Sequence, residues 1–167
     1  MSFKVKGEDL VGGRGKPLPN GTYLATVEQA AVVAKENGTQ VERRYGSLRT
    51  VDGADEFELP SGDTYRIGNR KLFARSWWDH TNEQAASIGQ RELMREAIAL
   101  RLVAKPEKGQ SAEFPFDTPE AYAEEITGRE VKVRTRLKQR IGKDKKPVLD
   151  DDGQPVFEPE VVEYLAI

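Results

Sequence analysis

The segment from residue 129 to residue 141, REVKVRTRLKQRI, alternates between cationic and uncharged side chains. Its odd-numbered positions from 131 onward are Val, Val, Thr, Leu, Gln and Ile. Its even-numbered positions from 132 onward are all cationic: Lys132, Arg134, Arg136, Lys138 and Arg140. Successive side chains on a β-strand point to opposite faces of the sheet. The alternation therefore predicts a strand with one mainly apolar face and one face that carries five positive charges.

The net charge of the chain, −2, conceals a strong segregation of charge along the sequence. Residues 129–146 hold nine lysines or arginines and two acids, which gives +7. Residues 147–167 hold six acids and no base, which gives −6. A local cationic surface on a mildly acidic protein concerns binding partners rather than the fold. Polyanions are therefore a candidate class of partner.

A second segment, RKLFARSWW at residues 70–78, interleaves cations with aromatic rings. On a strand, one face would carry Lys71, Phe73, Arg75 and Trp77. Single-stranded nucleic acid is bound by this combination, because cations follow the phosphates while flat rings stack on unpaired bases. The alternative is that Phe73 and Trp77 belong to the core and that the opposite face, with Leu72, is exposed. Both interpretations stay open at this point.

The acids near the C-terminus could neutralise the cationic face across a β-hairpin. On a regular strand Glu163 shares a face with Val161 and Leu165, so the acids do not form a row opposite all five cations. We expect Glu158, Glu160 and Glu163 to neutralise part of the cationic face and to leave the rest for a polyanion. Binding to such a partner should weaken steeply with salt.

Hydrophobic periodicity predicts several strands around one long helix. Strand patterns occupy 21–33, 69–78, 129–141 and 160–167, with an Asn-Gly hairpin signal at 37–38 and short strand-like pieces between 41 and 68. For the long helix after position 80, Thr81 and Gln84 form a capping-box pattern, and an apolar stripe runs from Ile88 through Leu93 and Ala97 to Leu102. A short helix should begin at Thr118 and Pro119 and stop at Gly128.

This order of elements predicts an α+β fold. We expect a partly open, antiparallel β-barrel of the oligonucleotide-binding (OB) type with one long and one short helix. Residues 19–167 would form the single OB-like domain, and residues 1–18, rich in Gly and Pro, would be a flexible N-terminal lead-in. An exposed edge of such a sheet would make a homodimer reasonable.

Signatures of catalysis are absent from the sequence. The chain has no cysteine, which excludes disulfides, thiol nucleophiles and zinc–thiolate sites. The one histidine, His80, lies at the predicted helix start without a triad signature, and GGRGKP lacks the spacing of a phosphate-binding loop. We therefore predict no enzyme activity, no catalytic residue, no cofactor and no metal. No apolar run is long enough for a membrane span, and the start lacks a signal-peptide core, so we expect a cytoplasmic protein.

Several stretches of the chain resemble a family of small phage-encoded proteins. The matching stretches are LPNGTYLATVEQAAV, GNRKLFARSWWDHTNEQAASIGQRELMREAIAL, FDTPEAYAEEITGREVKVRTRL and VVEYLAI, which together cover most of the chain from Leu18 onward. The family, long regarded as a domain of unknown function, is single-stranded-DNA-binding-like. The resemblance implies an OB-type barrel with a helical insertion. It also implies a role in phage replication or recombination inside an infected or lysogenic bacterial host, with replication or recombination proteins as further partners.

The sequence thus predicts a non-enzymatic protein that binds single-stranded DNA without sequence preference. Its binding residues would be Lys71, Phe73, Arg75, Trp77, Lys132, Arg134, Arg136, Lys138 and Arg140. The alternative is a phage structural or assembly protein, or one that binds a host protein, whose basic β-hairpin docks on an acidic protein partner.

Overall fold

The computed structural model describes residues 16–167, which form seven strands and two helices. The elements in chain order are β1 Gly21–Lys35, β2 Gly38–Thr50, β3 Glu56–Glu58, β4 Thr64–Arg66, β5 Leu72–His80, α1 Glu83–Ala99, α2 Pro119–Ile126, β6 Glu130–Gln139 and β7 Phe157–Leu165. The α+β class predicted from the sequence is confirmed.

Five strands form one antiparallel sheet in the order β5-β2-β1-β6-β7, and β3 and β4 form a separate two-stranded sheet. The large sheet is strongly curved. Tyr164 on the edge strand β7 accepts a hydrogen bond from Nη2 of Arg43 on β2 at 3.1 Å, although β1 and β6 separate these strands in the sheet. No strand pairing joins the edge strands β5 and β7 within residues 16–167, so the sheet is curved but not closed.

The hydrophobic core lies between the concave face of the large sheet and the two helices. The sheet contributes alternating residues of β1, β2 and β6, among them Val27, Val41 and Val133, all fully buried. Helix α1 approaches β5 closely because Gly89 has no side chain. A Cβ atom at Gly89 would lie 2.4 Å from both the backbone nitrogen and the carbonyl oxygen of Trp77. The glycine therefore sets the distance between the helix and the sheet.

The helix boundaries correct part of the sequence prediction. Asn82, not Thr81, caps α1 by accepting a hydrogen bond from the backbone N–H of Ala85 at 3.0 Å. The apolar stripe is buried at Leu93 and Ala97, but Ile88 is 46% exposed, because α1 turns Gly89 toward the sheet instead. The short helix α2 has Thr118 as its N-cap and Pro119 in its first turn, and Gly128 follows with φ 87°, as predicted.

The described residues before β1 pack against the domain. Leu18 is only 2% exposed and belongs to the core, so the predicted lead-in of residues 1–18 extends too far into the domain. The hydroxyl of Tyr65 also donates to the carbonyl oxygen of Lys16 at 2.7 Å. The remainder of the predicted lead-in, residues 1–15, lies outside the described residues.

A network of polar side chains is buried between the sheet and the helices. Arg43 Nε lies 3.3 Å from the carboxylate of Glu96 on α1, and both side chains are fully buried. Arg43 also donates to Ser76 Oγ on β5 at 3.0 Å. Tyr45 donates to Glu96, and Tyr122 on α2 donates to the same carboxylate at 2.7 Å. The network thus connects β2 and β5 with both helices, and through Tyr164 it reaches β7.

Burial and neighbouring polar groups shift the pKa values of the side chains in this network. Burial lowers the pKa of Arg43, but the Glu96 carboxylate together with the hydroxyls of Tyr45 and Tyr164 outweighs burial and holds this pKa well above its usual value. Burial is the main cause that raises the pKa of the hydroxyls of Tyr45, Tyr122 and Tyr164. The three tyrosines therefore stay protonated, and the Arg43 guanidinium stays charged.

Candidate nucleic-acid interface

The convex face of the large sheet, here called the outer face, carries the predicted cations of β6. Val131, Val133 and Thr135 point to the core and are at most 2% exposed. Their neighbours along the strand lie on the outer face: Lys132, Arg134, Arg136 and Lys138. Arg140 follows the last residue of β6 and is exposed. The two faces of this strand are therefore as predicted.

The predicted mixed face of β5 also lies on the outer face of the sheet. Lys71, Phe73 and Arg75 are exposed, whereas Leu72 and Ser76 are buried. Phe73 is 64% exposed and stands directly opposite Arg44 of β2. The interpretation that Phe73 belongs to the core is therefore wrong. An aromatic ring lies in solvent between two cations of its own strand.

The two tryptophans are less accessible than Phe73. Trp77 is partly buried, and its ring meets the His80 ring edge-on at a centroid distance of 4.4 Å. Trp78 packs on Phe114 at 5.4 Å and borders the core. The β2–β5 register shifts next to Trp77, between Thr39 and Gln40. His80 itself accepts a hydrogen bond from the backbone N–H of Asn82 at 2.8 Å, a role at the start of α1.

The acids of β7 form a row opposite the cations of β6, which corrects the sequence expectation. Glu158, Glu160 and Glu163 stand opposite Lys138, Arg136 and Arg134. The register shifts between Arg134 and Thr135, where the pairing passes over Val162. Such a bulge adds one residue to a strand and reverses the faces of all that follow. Glu163 therefore joins the other two acids on the outer face, and Tyr164 turns inward.

These acids form ion pairs with the middle of the cationic row. Arg134 Nε lies 2.7 Å from Glu163, while Glu160 lies 3.8 Å from Arg136 Nε and 3.6 Å from Lys138 Nζ. The three cationic side chains nevertheless keep 51%, 67% and 60% of their area exposed. Solvent screening makes such pairs weak, typically ~0–1 kcal/mol each. A phosphate can therefore compete with the carboxylates for these cations.

The cations around Phe73 have acidic partners as well. Glu28 of β1 accepts from Lys71 Nζ at 2.7 Å and lies 3.4 Å from Arg44 Nε. The hydrogen bond from Lys71 is the main cause that lowers the pKa of the Glu28 carboxyl. Arg75 pairs with Glu42 of β2 at 3.2 Å. The outer face around Phe73 is thus a mosaic of paired charges.

Some cations of the predicted set remain without an acidic partner. Within residues 16–167, no ion pair involves Lys132 or Arg140. The same holds for the lysines of the turn that follows β6: Lys143, Lys145 and Lys146. Lys132 stands between Leu24 of β1 and Leu165 of β7. The uncompensated positive charge therefore lies at the two ends of the row and in the turn after it.

The sequence prediction missed the acids that accompany the cations of β5. Glu28 is the extra residue of a bulge in β1, where the register with β2 shifts between Val27 and Gln29. Gly46 makes room for it, because a Cβ atom there would lie 1.9 Å from Glu28 Oε1. The buried Arg43–Glu96 pair was missed too, although a signal exists. Arg43 lies two residues from both Val41 and Tyr45, so the alternation of the strand places its side chain on the same core-facing side as theirs.

Comparison with protein-family models found no match, and comparison with curated proteins found none either. Within residues 16–167, no group of three or more His, Cys, Asp or Glu side chains is arranged to hold a metal ion. The same part of the chain contains no helix with the length and apolar character to cross a membrane.

Proposed function

We propose that this protein binds single-stranded DNA without sequence preference through the outer face of its five-stranded sheet. The observation that carries the proposal is the exposed ring of Phe73, flanked by Lys71 and Arg75 on the face that also bears the cationic row of β6. Aromatic rings stack on any base and cations follow any phosphate, so this combination suits a single strand of arbitrary sequence.

The layout of the outer face supports a path for one strand. β5 and β6 are three strand spacings apart, about 14 Å measured across the sheet. Between them the outer face carries the uncharged Thr22 and Thr26 of β1 together with two ion pairs, Arg44–Glu28 and Arg49–Glu130. A single strand could stack a base on Phe73 and cross this region, where Arg44 and Arg49 offer further cations in competition with their acids, to reach the cations of β6.

The architecture supports an OB-type domain for this role. The large sheet has five strands, both helices lie between its third and fourth strands in chain order, and its two edges approach each other. A five-stranded, partly open barrel with a nucleic-acid surface on its strands is the OB arrangement. We place the protein in phage replication or recombination, in the cytoplasm of the bacterial host, as a binding protein rather than an enzyme.

A second candidate function is docking on an acidic protein partner during phage assembly or host-protein binding. The turn after β6 favours it, because Lys143, Lys145 and Lys146 project there without ion pairs in the described chain. The backbone N–H of Gly142 bonds to the carbonyl of Lys146 at 2.8 Å and fixes this turn. A cationic turn of this kind fits acidic protein surfaces as well as phosphates.

The test is fluorescence anisotropy of a labelled oligo-thymidine strand titrated with the protein across a series of salt concentrations. We expect binding whose log affinity falls linearly with log salt. Replacing Lys132 and Arg140 with Gln removes two cations and leaves no acid unpaired. This variant should lower the magnitude of the salt slope by about 1.4, since each phosphate contact with a single strand contributes ~0.7.

The matched control replaces Arg91 and Arg95 with Gln, two exposed arginines of α1 that lie off the outer face. The control should leave the slope unchanged. No binding at low salt by a folded protein would overturn the proposal, as would equal losses in the two variants. Displacement of the labelled strand by duplex DNA as readily as by oligo-thymidine would overturn its single-stranded character.

A further inference from the structure

The second half of β1 has a strand neighbour on one side only. β1 pairs with β2 from Tyr23 to Lys35, but its pairing with β6 covers only Gly21–Thr26. Beyond it, Val27 still bonds to the loop residues Gly128 and Arg129. From residue 29 to residue 35, the described part of the chain offers no backbone hydrogen bonds except those to β2. One edge of this seven-residue stretch is therefore unpaired.

This edge lacks the features that normally prevent strands from associating. Residues 29–35 read QAAVVAK, with five consecutive apolar residues, no proline and a charge only at Lys35. The side chains of Ala31, Val32 and Val33 are partly exposed. An apolar, unprotected strand edge is a template for another strand. Another strand can pair with its free backbone groups, and nucleic acid has no backbone amides with which to do so.

We propose that a second copy of this chain covers the edge by antiparallel pairing of the two β1 strands. A two-fold symmetric contact uses the same patch twice. Residues opposite one another in an antiparallel pair point to the same face of the sheet, and on one strand only every second residue does so. Each residue must therefore face a residue an even number of positions away, which requires the two-fold axis to pass through a residue that faces its own copy. Val32 is the middle residue of the 29–35 stretch, and it is the axis position that the side chains favour.

The register centred on Val32 places apolar residues opposite apolar residues and polar residues opposite polar ones. Val32 faces Val32 of the second copy, Ala31 faces Val33, and Ala30 faces Ala34. Gln29 then faces Lys35 at both ends, so the only polar residues of the stretch meet each other. Shifting the axis to Ala31 places Gln29 against Val33, and shifting it to Val33 places Lys35 against Ala31. The pairing stops where the β1 bulge at Glu28 and the hairpin turn at Glu36 begin.

The proposed pairing has a geometric consequence. A two-fold axis perpendicular to the sheet joins the two five-stranded sheets into one and keeps both outer faces on the same side. If the proposed function holds, the dimer presents two Phe73 rings and two cationic rows to one strand. The dimer itself does not rest on that function, because its evidence is the unpaired edge.

The experiment is sedimentation equilibrium of the full chain over a range of concentrations. We expect the wild-type protein to approach twice the chain mass of 18.7 kDa. The single variants Ala31→Lys and Val33→Glu each place charges against the apolar edge of the second copy. Each should raise the dimer dissociation constant roughly 2- to 30-fold, because a charged side chain replaces an apolar one in two symmetry-related cross-strand pairs. The double variant A31K/V33E places the introduced lysine of one copy against the introduced glutamate of the other and should restore dimerisation.

The control is Val51→Glu, which adds a charge at a valine that is 54% exposed outside this edge. It should dimerise as the wild type does, and circular dichroism of every variant confirms folding. A wild-type protein that stays monomeric at all concentrations overturns the proposal. It does so even if the edge of β1 then proves to bind a peptide. Single variants that dimerise as tightly as the wild type also overturn it. A double variant as weak as the singles overturns the register centred on Val32.

Discussion

The proposed binding role of Phe73 rests on the residues that flank its ring, which differ from those around an ordinary exposed hydrophobic side chain. Isolated exposed apolar side chains are common on folded proteins and need no explanation. Phe73 differs from such residues because Lys71 and Arg75 share its face and Arg44 stands opposite it. Phe157 of β7 is also exposed, at 47%, but it stands opposite Gln139 at the end of its strand.

Replacing Phe73 with Ala should weaken binding to oligo-thymidine by ~1–3 kcal/mol, about 5- to 150-fold, because one stacking ring is lost. The free energy of unfolding should change little, since the ring is largely in solvent. Anisotropy titration and urea denaturation measure the two effects. The matched control, Phe157→Ala, should keep wild-type affinity, and a loss as large as that of F73A would remove Phe73 from the binding surface.

The strand β7 shows how one extra residue decides which charges meet. Without the bulge at Val162, Glu163 would point to the core and Tyr164 to solvent. With it, three acids face the cations of β6, and Tyr164 reaches Arg43 in the buried network. In the proposed complex with DNA, the acids of β7 would therefore compete with phosphate for Arg134, Arg136 and Lys138.

Replacing Glu160 and Glu163 with Gln should raise the affinity for oligo-thymidine. The expected gain is roughly 3- to 150-fold at low salt, from ~0.2–1 kcal/mol for each of the three exposed pairs removed. The control, Glu120 and Glu124 of α2 replaced with Gln, changes the net charge equally but far from the row. An equal gain in both double variants would make the effect one of net charge, and no gain would show that the pairs do not compete with DNA.

Strands and helices with a regular spacing of apolar side chains were predicted well from the sequence. Local irregularities such as β-bulges were not predicted. The alternation of 129–141 gave β6 with its two faces, and Thr118, Pro119 and Gly128 gave α2 with its ends. The bulges of β1 and β7 were missed because an extra residue shifts the alternation without any change in composition. Ile88 was assigned to the core because periodicity cannot show that Gly89 is the residue in contact with β5.

At the scale of the whole molecule, the buried network holds together elements that are distant in sequence. Arg43 and Glu96 are charged residues at core positions, and each is predictable as buried from its own element. Their pairing requires knowledge of how α1 crosses the sheet, which no local pattern contains. The network also holds β7 near β2 and so maintains the curvature of the outer face.

Breaking the buried pair should cost far more stability than breaking an exposed one. Replacing Arg43 with Met or Glu96 with Gln alone should lower the free energy of unfolding by about 3–5 kcal/mol, because each change deprives a buried polar group of its partner. The double variant should lose much less than the sum. Urea denaturation of the four proteins measures the coupling energy, and if a single variant does not fold, recovery of folding in the double variant reports the same coupling.

The matched comparison is the exposed pair Arg75–Glu42 on the outer face, where Arg75 keeps 68% of its side-chain area exposed. The same cycle there, with Arg75→Met and Glu42→Gln, should give a coupling energy of only ~0.2–1 kcal/mol. The difference follows from solvent screening, which weakens the exposed pair and is absent from the core. A core coupling as small as that of the surface pair would mean that the curvature is maintained by apolar packing alone.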